Sequence, residues 1–316
     1  MRLIAGLTVG LILGFSVWYF WPKEKKVFLS PEGKWTFESK PFEKYSFPKL
    51  RERVFIPDGI WVEGSMFYYW VEGKKVSGQI LKPVGSVPTN GWPVIIMLRG
   101  YVDREIYQPG VGTRRAAEMF SQNGYLTLAP DFLGYGGSDQ SFPNNLEDRF
   151  FHPIEVLQLI ASLKNLDMAN PNQVALWGHS NGGQIALSVL EISGKDFPTS
   201  LWAPVSKPFP YSILYYTDEA DDNGKALRRV VAGFEALYDS DEFSIQNYYD
   251  WISAPVQVHQ GTADEAVPLK WSQALEKSLK DKDKNVKLYI YPGADHNLLG
   301  GWEAAVERSL EWFKQK

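Results

Sequence analysis

The chain of 316 residues contains no cysteine. That absence removes disulfides, thiolate nucleophiles and thiolate metal sites together. Histidine is scarce, with only His152, His179, His259 and His296 present. No two of these stand three or four residues apart, so the paired-histidine zinc site of a helix is excluded. An excess of positive charge is missing too. Lysine and arginine number 33 against 37 acidic residues, a net charge of −4, which excludes a basic nucleic-acid binder. No internal repeat is visible. Apolar residues are not lacking: 44% of the chain is hydrophobic and 15% aromatic. A sequence of that composition can bury a sizeable core, so disorder is excluded as its dominant state.

Long hydrophobic runs are absent except at the N-terminus, where residues 3–21 carry no charge over 19 positions. A helix of that length rises about 28 Å, close to the hydrocarbon thickness of a bilayer. The run closes with Trp18-Tyr19-Phe20-Trp21, an aromatic cluster of the kind found at a headgroup boundary. Pro22 and Lys23-Glu24-Lys25-Lys26 follow. No Ala-x-Ala-like site ends the run. Residues 1–26 are therefore expected to form a single-pass transmembrane anchor with the catalytic domain exported. The alternative is a signal segment removed on secretion. Lys23, Lys25 and Lys26 outweigh Arg2 and pull the other way, so orientation stays open.

Residues 27–316 read as one α/β domain. The first part, about 27–90, is rich in Trp, Phe, Tyr, Pro and Gly, and runs such as Lys75–Lys82 suggest antiparallel strands. From Trp92 the pattern changes. Pro93–Leu98 (PVIIML) is a continuous apolar run, as in a strand buried on both faces. Further strands are predicted at 125–129, 173–177, 201–205, 256–260 and 286–291. Helical spacing appears at 113–123, 153–167, 184–192 and 303–313. This alternation implies a mostly parallel sheet flanked by helices. Two stretches interrupt it. Residues 139–151 are polar. Residues about 205–250 fall between two strands and read as a small cap insertion above the strand ends, whose acidic run at 218–222 reads as a solvated loop.

The chemistry is carried by Gly178-His179-Ser180-Asn181-Gly182-Gly183, placed between a predicted strand and a predicted helix. A Gly-x-Ser-x-Gly at such a junction is a nucleophile elbow. The serine occupies a sharp, strained turn, where glycines are needed because side chains would collide. The exposed hydroxyl lies beside a helix N-terminus that favours negative charge. The amide of Asn181, next after the nucleophile, is a candidate oxyanion donor. A serine at neutral pH needs a base. His296, in the loop after the last strand, fits best. His179 belongs to the elbow, His152 sits beside Pro153 at a helix start, and His259 lies inside a strand. Asp264, after the strand at 256–260, is the acid expected to orient His296. Glu265 and Asp295 are its rivals. The order Ser, Asp, His is that of an α/β-hydrolase sheet.

With the elbow, Gly261-Thr262-Ala263-Asp264-Glu265-Ala266-Val267-Pro268 and Tyr291-Pro292-Gly293-Ala294-Asp295-His296, the chain resembles the α/β-hydrolase superfamily. Within it, the chain is similar to the catalytic domain of the prolyl oligopeptidase family, near acylaminoacyl-peptidase-like and dipeptidyl-peptidase-like members. Asp131-Phe132-Leu133-Gly134-Tyr135-Gly136-Gly137-Ser138 matches the family's loop after the fourth strand. The resemblance spans about residue 76 to the C-terminus and implies a sheet of the eight-stranded type. It also aligns Leu98-Arg99-Gly100-Tyr101 with a family motif whose tyrosine serves the oxyanion. Tyr101 is thus a candidate donor through its phenol or its amide, although Val102-Asp103 stands where the family has two glycines. The family's β-propeller cannot be built from the 60-odd residues preceding the hydrolase region.

The implied activity is that of a serine hydrolase, a peptidase of this family, attacking an ester or a peptide amide through Ser180, His296 and Asp264. A carboxylesterase of the same fold is the alternative, and a non-catalytic membrane-anchored binding protein is a third reading. Substrates are expected to be small esters or short peptides. No cofactor, no metal and no nucleic acid is called for, and oligomeric state is not legible.

Overall fold

A computed structural model describes residues 40–314, with residues 28–30 and 33–35 described as two short strands. The expected anchor or signal segment at 1–26 lies outside the described residues. Among the described residues no helix is long and apolar enough to cross a membrane.

The two short strands, β1 (Phe28–Ser30) and β2 (Gly33–Trp35), pair antiparallel with each other. The body of the protein is built on a nine-stranded sheet rather than an eight-stranded one. Its strands are β3 (Ile60–Glu63), β4 (Met66–Val71), β5 (Lys74–Leu81), β6 (Trp92–Leu98), β7 (Leu126–Pro130), β8 (Ala169–His179), β9 (Thr199–Trp202), β10 (Val256–Gly261) and β11 (Val286–Tyr291). They lie in the order β11-β10-β9-β8-β6-β7-β5-β4-β3. The six strands from β11 to β7 run parallel. Strands β5, β4 and β3 extend the sheet antiparallel.

Helices cover both faces: α1 (Phe47–Glu52), α2 (Arg114–Gln122), α3 (Asn145–Ser162), α4 (Asn181–Ser193), α5 (Tyr211–Leu214), α6 (Lys225–Glu235), α7 (Leu269–Lys280) and α8 (Trp302–Phe313). The period of two in a strand explains why both faces need cover. In β6, Val94, Ile96 and Leu98 pack under α3 and α4 in one cluster, while Ile95 and Met97 meet Phe120 of α2 and Leu310 of α8 in another. Each such aliphatic side chain, buried rather than exposed, is worth about 1.5–3 kcal/mol. The apolar run at 93–98 is thus the centre of the molecule.

Three differences from the sequence reading have physical causes. The stretch about 27–90 is not all strand: residues 43–52 form a turn of 3-10 helix and then α1. Pro48 lies in the first turn of α1, where a missing N–H costs nothing. Second, α3 begins at Asn145, so the polar stretch at 139–151 is half helix. Asn144 caps it, accepting the Leu146 amide at 2.9 Å, and Pro153 is carried inside the helix instead of starting it. Third, α7 follows the loop after β10, where no helix was read. Its buried face is supplied by Trp271, Leu275 and Leu279, at i, i+4 and i+8.

Candidate active site

Strand β8 ends at His179 and α4 begins at Asn181, leaving Ser180 as the sole residue of the turn. Its backbone adopts φ 55°, ψ −119°, a region L-residues enter only when the surroundings impose it. Both sides impose it here. The Ser180 amide donates to Trp202 O at 2.9 Å, and its carbonyl accepts from the Gly183 and Val205 amides, each at 3.0 Å. The glycines are required by contact. A Cβ on Gly182 would lie 2.0 Å from Leu98 O, and one on Gly178 would lie 2.6 Å from Gly182 O. A turn this tight aims the serine hydroxyl out of the sheet, at the N-terminus of a 13-residue helix.

His296 sits in the loop after β11. Its Nδ1 lies 2.9 Å from Asp264 Oδ2 and 3.1 Å from Oδ1. The Asp264 side chain is wholly inaccessible, while His296 keeps 23% of its side-chain surface. The aspartate is fixed from every direction. The Val267 and Ala266 amides donate to Oδ1 at 2.8 and 3.0 Å, and Gln260 Nε2 donates to Oδ2 at 2.8 Å. Gln260 is itself held by the Ser272 hydroxyl on its Oε1. Burial pulls the Asp264 pKa upward, but the bonds from His296, the Val267 amide and Gln260 outweigh it and hold the carboxyl below its usual value. The rivals are engaged elsewhere. Glu265 is exposed, and Asp295 Oδ1 caps its own loop through the Asn297 and Leu299 amides.

His179 lies against His296. The two imidazole rings are 4.7 Å apart, and His179 Nε2 is 3.0 Å from the His296 carbonyl. Burial, and then the neighbouring His296, lower its pKa to about 4, so the ring is neutral at physiological pH. Ser180 stands next to it, and Gly100 closes the third side. A Cβ on Gly100 would fall 3.0 Å from Ser180 Cβ and 3.5 Å from His179 Nδ1. No hydrogen bond links Ser180 Oγ to His296 among the described residues. Such contacts commonly tighten only around a bound substrate.

Tyr101 follows Gly100 in the loop after β6. Its side chain is 76% exposed, and its hydroxyl donates to Asp103 Oδ1 at 2.7 Å. That bond, with some burial, pushes the phenol pKa up to about 12. The phenol is therefore committed to a residue on the solvent side. The Tyr101 amide makes no hydrogen bond among the described residues.

With this geometry in view, comparison with known proteins is decisive on kinship. The sequence model of the prolyl oligopeptidase family matches residues 112–316. The chain belongs to the prolyl oligopeptidase family. It is 24% identical over 257 residues to the uncharacterized peptidase YtmA of Bacillus subtilis (strain 168), an alignment covering 78% of this chain and 92% of that one. Among solved structures, Est1E from Butyrivibrio proteoclasticus with ferulic acid bound superposes with a TM-score of 0.58 at 20% identity, over 78% of this chain and 98% of that one. The acylaminoacyl peptidase of Pyrococcus horikoshii superposes with a TM-score of 0.61 at 19% identity, over 82% of this chain but only 42% of that one. These likenesses show the α/β-hydrolase fold, and family membership makes the protein a serine hydrolase.

Two histidines stand apart from Asp264. His259 is buried in β10, with Nδ1 2.7 Å from the Tyr291 hydroxyl. His152 is half-buried against the Phe132 ring, neither ring nitrogen bonded within the described residues. Burial and three arginines, Arg99, Arg149 and Arg104, depress its pKa to about 3. In the family loop after β7, Asp131 is fully buried and accepts the Ser77 and Tyr107 hydroxyls, each at 2.5 Å. Arg99 lies over the Tyr135 ring at 4.1 Å and donates to Asp131 O and Gly100 O, each at 3.0 Å. This cluster ties the loop carrying Gly100 to the sheet. Sequence reasoning missed it, as it missed Gln260, because each member is brought in from a different element. The described residues contain no group of acidic or histidine side chains able to hold a metal ion.

Proposed function

We propose that the protein cleaves a peptide or related amide bond in a small substrate, with Ser180 as nucleophile, His296 as general base and Asp264 as the group that orients it. The observation that carries this reading is His296 Nδ1 set against both oxygens of a buried, fourfold-held aspartate, in a loop adjoining a strained Ser180. Asp264 keeps the Nδ1–H tautomer, which leaves Nε2 free to accept the serine proton. The oxygen of Ser180 attacks the carbonyl carbon, and the proton passes to His296 and on to the leaving amine. Water then releases the acyl group by the same route. The developing oxyanion is served by the amides of Asn181 and Tyr101, the first at a helix N-terminus, the second without another partner. The kinship with a Bacillus protein named as a peptidase supports the amide reading. A carboxylesterase remains the second reading, supported by the fold shared with Est1E.

The test is Ser180→Ala, which should lower turnover by about 10³-fold or more and abolish labelling by a fluorophosphonate, while the circular dichroism spectrum is unchanged. Near-normal activity would remove Ser180 from the mechanism. Assayed in parallel, amino-acyl amides and p-nitrophenyl esters decide between peptidase and esterase by their kcat/KM. We also propose that residues 3–21 tether the enzyme to a membrane as a single-pass anchor with the catalytic domain exported. The uncharged, aromatic-ended run supports this, and a cleaved secretory signal is the competing outcome.

A further inference from the structure

A small cleft of about 40 Å³ opens beside Asn181, the residue after Ser180, and is lined by Asn181, Gln184, Ile185 and Ser188 of α4, by Arg149 of α3, and by Phe209. Most of this lining is apolar or neutral. Arg149 is the exception, a half-buried guanidinium in the wall of the cleft.

The surroundings of Arg149 do not neutralise it. Its hydrogen bond goes to Gln184 Oε1, a neutral acceptor, and among the described residues the one ionisable group that favours its charge is the Tyr216 phenol, neutral at pH 7 and donating to Ala266 O. The amide end of Gln184 is in turn directed at the cap, 3.4 Å from Ser212 Oγ and 3.5 Å from Lys207 O, so the Gln184 oxygen is held toward Arg149. No carboxylate lies within 4 Å of the guanidinium among the described residues. The nearby acids are taken: Asp148 pairs with Arg104, and Glu147 accepts the Tyr45 hydroxyl. Burial lowers the Arg149 pKa to about 10, which leaves it fully charged at neutral pH. The neighbouring His152 has its pKa depressed by burial first and then in part by this charge, beside Arg99 and Arg104.

A charge partly withdrawn from water and left without a carboxylate partner is costly. The cost is relieved when a ligand brings the missing negative charge. The guanidinium offers a planar fork of donors suited to a carboxylate. It lines the same wall as Asn181, the residue next to Ser180.

We propose that Arg149 is a substrate-binding residue and that the hydrolase prefers substrates bearing a carboxylate on the portion that occupies this cleft. The proposal rests on the serine-hydrolase reading above and narrows its substrate class. It is tested with a probe pair that needs only the nucleophile. Two series of alkyl fluorophosphonates of matched chain lengths are made, one ending in a carboxylate, the other in its neutral isostere, a carboxamide. In the labelling step the Ser180 Oγ–P bond forms, the P–F bond breaks, fluoride departs, and the hydroxyl proton goes to His296.

The expected result on the full-length enzyme is labelling about tenfold or more faster with the carboxylate probe at the best chain length, as one charge-assisted hydrogen bond provides. Arg149→Gln should bring the ratio of the two rates close to one, and Arg149→Lys should keep a clear preference for the anion. Equal rates in the wild type, or a preference that survives Arg149→Gln, would overturn the inference while leaving Ser180 as the nucleophile. Failure of Ser180 to react with either probe, in a folded protein, would instead overturn the hydrolase mechanism itself, and this inference with it.

Discussion

Asp264 shows how a single side chain can be more confined than its role alone requires. A carboxylate needs one bond to orient a histidine, yet this one accepts from two backbone amides and a glutamine as well. All of these favour the ionised form, and its folded-state pKa is depressed. The stability it contributes is therefore complete above its unfolded value of about 3.9 and is lost as pH falls through the lower folded value. Asp264→Asn should accordingly be less stable than the wild type by about 1–2 kcal/mol at pH 7, with the gap closing below pH 4. Denaturant unfolding at both pH values measures this, and a gap independent of pH would refute it. Turnover at pH 7 should fall by about 10³-fold or more. Ser180, Asp264 and His296 could be singled out in the chain because motif, order and strand-end position all converge on them. Tyr101 could be named but not aimed: its phenol is turned to Asp103, two residues on, in place of the glycines that were missing. Gln260 and Arg149 could not be named, because long side chains meeting from separate elements leave no spacing to read.

The elbow works as an element only if β8, α4 and the end of β6 nearly touch. Gly182 is where they do so, with Leu98 O at 2.0 Å from any added Cβ. That neighbour is backbone in the central strand and cannot rotate away. Gly182→Ala should therefore cost several kcal/mol, on the scale of severe overpacking, and lower the melting temperature by roughly 10 °C or more. Gly293→Ala gives the contrast: its φ of 75° imposes strain, but nothing lies within 4 Å of the added methyl, so about 1 kcal/mol is expected. Thermal melts of the two variants make the comparison, and equal losses would contradict the close-contact account. An element that buries a continuous apolar run, such as β6, was legible from hydrophobicity alone. Helix α1 was not. It has six residues, too few for its propensity to matter, and it exists because Phe47 and Leu50 are buried. The first turns of α3 were obscured by Pro153, which usually marks a helix start and here stands eight residues inside one.

At the scale of the molecule, the segment leading into the sheet is a strut. Phe42 packs against Phe150 of α3 and Phe234 of α6, its amide donating to the Tyr238 hydroxyl at 3.0 Å. Arg51 reaches the far end of α4 and donates to the carbonyls of Glu191 and Ile192 at 2.6 and 3.1 Å, satisfying groups a helix end leaves open. Burial of Phe42, Tyr45, Phe47 and Leu50 is worth about 6 kcal/mol or more, comparable with the whole stability of a domain. Three chain lengths separate this strut from the proposed anchor. The full chain should sediment with membranes and resist salt and alkali. A chain beginning at residue 40 should be soluble, folded and active. A chain beginning at residue 58 should aggregate or melt far lower. Fractionation and thermal denaturation give the answers. A full chain found in the soluble fraction, beginning near residues 23–27, would replace the anchor with a cleaved signal.

The contact between His179 and the His296 carbonyl joins residues 117 positions apart. Between them lie residues 205–250 and the strands β9, β10 and β11, and the three strands must pair before His296 can stand beside His179 and Ser180. The serine turn draws only on β6 and β9, through Leu98 O and Trp202 O, while the contact with His296 waits also for the later strands β10 and β11. If the proposed mechanism holds, a chain still being synthesised is thereby harmless: until the last strand has emerged and docked, Ser180 has no base beside it.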